Sequence, residues 1–233
     1  MYKVFFAISV ALACGSAALA STITFIGSGA STGGNLENSS AIFVTGAGTI
    51  SVTLNNLLSN PTDVAQNLSD LFFTLSNGAT TGTLTSSSGT ELTVNSGGTF
   101  SVGASVATGW TLSASGGSLL LNVLGTPVGP AHTIIGTSSN GTYSGGTYSN
   151  AKGSIAGNGP HNPFLESGTT FTLSVPGVTA ATTITAATFS FGTAAGNTLV
   201  GTASTVPEPI TMVLVGAGLL AMGTLRMQRK AKR

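Results

Sequence analysis

Apolar side chains recur at every second position in one segment of this chain after another. In "TISVTLNN" they are Ile50, Val52 and Leu54, and in "DLFFTLSN" they are Leu71, Phe73 and Leu75. The same period of two runs through "GTELTVNS", "GTFSVGASV", "GWTLSAS", "SLLLNVL", "TTFTLSV" and "ATFSFGT". Successive side chains of a strand point to opposite faces, so this spacing fits half-buried strands rather than a helix. Asn77-Gly78, Gly97-Gly98, Gly116-Gly117 and Asn140-Gly141 punctuate the runs as turns. About ten short strands with frequent turns predict an all-β fold, a β-sandwich. One short helix is expected in "NPTDVAQNLSD", with Asn60 as its cap, Pro61 in the first turn, and Val64 and Leu68 sharing a face. The stretch 136–163, rich in Gly, Ser and Asn, predicts a long loop with room for an irregular edge strand.

Charge narrows what such a sandwich can do. Between Ser21 and Thr205 stand five acids, Glu37, Asp63, Asp70, Glu91 and Glu166, and one cation, Lys152, for a net charge of −4. An ordinary domain carries charge on about a quarter of its residues. So few charges exclude the low-hydrophobicity, high-charge composition of a disordered chain. The lack of cations excludes nucleic-acid binding by phosphate neutralisation. It also leaves little repulsion between copies, so residues 21–205 are expected either to self-associate or to have their hydroxyls covered by glycan.

Both ends of the chain read as address signals. Lys3, the apolar run 4–13 and the Ala18-Leu19-Ala20 site make a signal peptide over 1–20, with Ser21 as the first mature residue. Cys14 invites a lipoprotein reading, but Ala11 stands where that pattern wants Leu. Cleavage after Ala20 leaves no cysteine, hence no disulfide framework. At the other end, 210–225 carries no charge. As a helix it reaches about 24 Å, short of the roughly 30 Å hydrocarbon core. The stems of Arg226 and Arg229 can snorkel to make up the length, and Gly216, Gly218 and Gly223 suit close packing in a membrane. A buried core helix is the rival reading, but it has no need of Arg226, Arg229, Lys230, Lys232 and Arg233 clustered behind it. Those cations predict a cytoplasmic C-terminus, with everything before Val206 outside.

Pro207-Glu208-Pro209, the apolar helix with its glycines and the basic end together resemble the PEP-CTERM sorting signal of Gram-negative bacteria, here 206–233. The resemblance implies export, an inner-membrane precursor, and processing near the PEP motif by exosortase, a membrane transpeptidase-like cysteine enzyme. Signal peptidase and the export machinery are the other implied partners. The two prolines disfavour helix and hold Glu208 extended, a form a protease-like site can bind, though they could equally serve only to stop the helix. The stretch "GSIAGNGPHNPFLESGTTFTLSVPGV" followed by "TTITAATFSFGT" also resembles a recurrent PEP-CTERM ectodomain type, which implies fold and address but no reaction.

Few residues of the chain offer chemistry. Gly29-Ala30-Ser31-Thr32-Gly33 matches G-x-S-x-G, with Asp63 or Asp70 and then His132 or His161 following in α/β-hydrolase order. That motif needs a strand, a sharp turn and a helix, whereas "TGGNLENSSAIFV" has no helical period, and 33 glycines make the match unremarkable. His161 and Glu166 flank Asn162-Pro163 at no established metal spacing, and no calcium loop is present. No enzymatic activity, cofactor or metal is therefore expected. Trp110 alternates with Leu112 and reads as core. Tyr143 and Tyr148, in the Gly-rich loop, are the candidates for stacking on a sugar ring. The expected role is structural or adhesive, within an extracellular polysaccharide matrix or biofilm. The alternative is a carbohydrate-binding module.

Overall fold

The computed structural model describes residues 21–149 and 152–204. The expected signal peptide, the PEP motif, the apolar run and the basic tail therefore lie outside the described residues, except Ser21, which opens the first strand. The described residues form thirteen strands in two antiparallel sheets. In chain order they are β1 (Ser21–Ala30), β2 (Leu36–Gly46), β3 (Thr49–Asn56), β4 (Leu68–Leu75), β5 (Thr83–Val94), β6 (Phe100–Val106), β7 (Thr111–Ser115), β8 (Ser118–Asn122), β9 (Phe164–Leu165), β10 (Thr169–Ser174), β11 (Ile184–Phe191), β12 (Thr198–Val200) and β13 (Thr202–Ser204). The larger sheet runs β13-β1-β2-β3-β10-β5-β6, with β9 attached to β5. The smaller runs β12-β11-β4-β8-β7.

The alternation becomes the core. Ile50, Val52 and Leu54 of β3 are fully buried, as are Leu71 of β4 and Leu119 and Leu121 of β8. Phe43 bridges the layers, with its ring 6.1 Å from Phe25 in its own sheet and 5.2 Å from Phe73 in the other. Each such side chain contributes roughly 1.5–3 kcal/mol by leaving water. Trp110 joins this core as expected. It is 3% exposed, lies 5.2 Å from the Phe171 ring, and donates from Nε1 to the His132 carbonyl at 2.9 Å. At the margin, Phe189 lies between two glycines: a Cβ on Gly27 would come within 2.8 Å of its ring, and one on Gly201 within 2.9 Å. Gly201 is also where the chain passes from β12 in one sheet to β13 in the other.

The expected helix is shortened to a single 3-10 turn, Val64–Gln66. Asp63, not Asn60, caps it. The Asp63 side chain accepts from the Ala65 N–H at 3.0 Å, and Gln66 reaches back to the Asp63 N–H at 3.2 Å. Asn60 instead sits at φ 50 and accepts from the Ser149 N–H. Asn67 is already extended, and Leu68 begins β4 opposite Phe191. Two apolar positions one helical turn apart cannot repay helix nucleation when the same residues can join a sheet.

The loop 136–163 carries no strand among its described residues, only a 3-10 turn at Gly159–His161. It is nonetheless packed. Tyr148, Ile155 and Ala156 join Val64, Leu92, Val94, Ile135 and Phe164 in a second apolar cluster.

Candidate functional site

The described residue nearest the sorting segment is Ser204, the last of β13. Antiparallel pairing sets Ser204 opposite Thr24, Ala203 opposite Phe25 and Thr202 opposite Ile26. The entry to the domain at Ser21 and its exit at Ser204 therefore share one end of one sheet edge. From Ser204, Pro207 is three residues on, a reach of about 10 Å when fully extended. All three residues of β13 are exposed. Any enzyme acting at Glu208 must approach this edge closely.

The G-x-S-x-G segment ends β1 and turns into β2, so no nucleophile elbow forms. Ser31 is buried. Its hydroxyl donates to the Asn35 carbonyl at 3.2 Å and lies 3.5 Å from Glu37 Oε1, rather than against an imidazole. His132 lies elsewhere, at φ 58, where its Nδ1–H donates to the Thr108 carbonyl at 2.8 Å and its Nε2 faces Glu91 Oε1 at 3.1 Å. His161 Nδ1 faces the Ser154 carbonyl at 3.2 Å. Ser154 in turn donates its hydroxyl to Asp63 at 3.1 Å. The fold thus distributes the serine and both histidines among separate loop-pinning contacts. His161 and Glu166 contact different partners, and no group of three metal-ligating side chains occurs among the described residues.

Glu37 was not singled out in the sequence. It lies on the inward face of β2 with Ser39, Ala41 and Phe43, and it is 3% exposed. Burial pushes its carboxyl up to about 8; the Ser31 hydroxyl opposes the rise and the Asp63 charge adds to it. Oε2 has no partner. Asp70 is raised to about 6, again by burial, against a lowering hydrogen bond from the Val123 N–H. Both acids bind protons more tightly in the folded state than when unfolded. Their stabilising contribution is complete below the ordinary carboxylate pKa, and it is lost as pH rises through about 6 for Asp70 and about 8 for Glu37. The melting temperature should therefore fall between pH 5 and pH 8.5. Glu37→Gln should flatten that fall, by on the order of 5 °C at the alkaline end. Thermal melts across this range test the assignment, and identical pH slopes for the two proteins would refute it.

The two tyrosines considered for sugar stacking belong to the packed underside of the loop. Tyr148 is 3% exposed, and its ring meets Phe100 edge-on at 5.4 Å. Its hydroxyl donates to the Gly136 carbonyl at 2.8 Å. Tyr143 is half-buried, donates to the Ile135 carbonyl at 2.7 Å and accepts from the Ser167 N–H at 2.9 Å. Burial raises both phenol pKa values. In this arrangement the hydroxyls fasten the loop to the domain, and Tyr148 offers no free ring face.

Two of the surface depressions among the described residues are partly open to solvent. One is lined by Val64, Ala65, Phe191, Gly192, Ala194 and Asn197, another by Thr81, Gly82, Thr83, Ser174 and Pro176, and neither contains a titratable side chain. Among the described residues no helix is long and apolar enough to cross a membrane; the run 210–225 lies outside them.

Residues 205–230 match the family model of the PEP-CTERM protein-sorting motif. The match begins at the residue after β13. It supports an exosortase-targeted surface or secreted protein, with exosortase as the processing partner. No curated protein and no solved structure matches the chain.

Proposed function

We propose that this chain is an exported structural or adhesive protein whose sandwich is delivered to the cell surface or its polysaccharide matrix by exosortase acting at Pro207-Glu208-Pro209. The observation that carries the reading is the sorting motif, which begins at the residue after β13. In this account signal peptidase cleaves after Ala20, and Ser21 begins the mature chain. Residues 210–225 hold the precursor in the inner membrane. Arg226, Arg229, Lys230, Lys232 and Arg233 stay in the cytoplasm until processing. The adhesive role draws support from the domain itself: a sandwich with few charges and a packed 136–163 loop suits a building unit. The intact mass of the exported protein tests the delivery route, because it reads both ends of the mature chain at once.

A further inference from the structure

We propose that β7 is a self-association edge, which pairs antiparallel with β7 of a second copy of this chain. Among the described residues the two sheets leave four edges, and the fold protects three of them. β12 and β13 are only three residues long each. On β6, Gly103 and Ala104 both stand opposite Glu91, where the pairing with β5 shifts register. Short strands and bulges are the devices that keep sheet edges from pairing with foreign strands. β7 has neither device. Its five residues pair with β8 in unbroken register from Thr111↔Asn122 to Ser115↔Ser118. It contains no proline, and no Asp, Glu, Lys or Arg occurs between Glu91 and Lys152 to repel a second copy.

The strand is also self-complementary. β7 and β8 are joined by Gly116-Gly117, at φ 56 and 82, a two-residue hairpin whose flanking pair Ser115–Ser118 is hydrogen-bonded. Counting back from it, antiparallel alternation turns the N–H and C=O of Leu112 and Ala114 away from β8 and outward. A two-fold axis at Ser113 sets Leu112 opposite Ala114 of the second copy, so each pair exchanges both outward bonds. On one face, half-buried Leu112 meets Ala114. On the other, Thr111, Ser113 and Ser115 meet Ser115, Ser113 and Thr111, hydroxyl against hydroxyl. This is an isologous contact that closes at a dimer. β7 ends the smaller sheet at the side opposite β12, about 19 Å away at four strand spacings, so a second copy can meet it without crossing the β12 and β13 edges.

The pairing deepens the structural reading and rests on it only for where the contact is used. It is measured on purified chain, so it can fail while sorting holds. The test is oxidative cross-linking of the full chain in detergent micelles. Ser113→Cys places identical thiols across the two-fold and should yield covalent dimer at least five-fold above Thr111→Cys alone, which shares the same Cys14 background. A mixture of Thr111→Cys and Ser115→Cys chains should cross-link to each other. Ala114→Pro removes an outward N–H without touching the β8 ladder, and it should abolish the Ser113→Cys cross-link while leaving Trp110 emission native. Equal cross-linking at all three positions, or a cross-link that persists in a folded Ala114→Pro chain, would overturn the proposal.

Discussion

Gly136→Ala is expected to cost at least about 3 kcal/mol of folding free energy, enough to unfold much of the population of a marginal domain. The added methyl would run into the Leu58 carbonyl oxygen, with Asn56 Oδ1 a further 3.3 Å neighbour. The obstacle is backbone, so no rotamer change relieves it. Gly136 also supplies the carbonyl that Tyr148 bonds, so a shift there loosens the cluster under the loop. Gly97→Ala is the control, since a methyl there meets nothing within 4 Å. Denaturant unfolding followed by Trp110 fluorescence should separate the two variants clearly. An unfolding midpoint for Gly136→Ala equal to that of Gly97→Ala would mean that the loop does not pack against Leu58 as described.

Glu208→Ala should reduce the exported pool at least ten-fold and leave the unprocessed chain in the membrane fraction. The physical case rests on position. Glu208 is held between two prolines that lack N–H donors and resist helix, so its carboxylate is the one charge an enzyme can read there. Ser204 is only four residues upstream and locked into β13, which keeps the segment between the sandwich and Glu208 short. The variant leaves every described contact untouched, so its sandwich should melt like the parent. Equal processing of variant and parent would show that Glu208 is not read.

The strands were legible because the alternation is local: each of "TISVTLNN" and "DLFFTLSN" states which of its faces is buried. That same parity placed Glu37 inward with Ala41 and Phe43, so the buried carboxyl was there to be found by extending the period through "LENSSAIFVTG". Asp70 was less accessible to such reasoning, because the start of β4 is buried on both faces. The helix expectation failed where a sheet partner distant in sequence, Phe191, outcompeted a weak local repeat at Leu68. Tyr143 and Tyr148 looked like loop residues open to solvent because their apolar neighbours, among them Ile135, Ile155 and Phe164, are spread along the chain and meet only after folding. Edge position was equally hidden. Nothing in "GTFSVGASV" or "GWTLSAS" distinguishes an edge strand from a central one, since that depends on partners elsewhere. The sorting motif was legible for the opposite reason: it is a contiguous segment, 205–230, and needs no tertiary context.

The most direct test of the account is the intact mass of the exported protein, taken from a host that carries exosortase. The account predicts a chain that begins at Ser21 and ends short of Arg226, with any covalent glycan adding to that value. Exported protein that keeps residues 226–233, or that still carries residues 1–20, would contradict it.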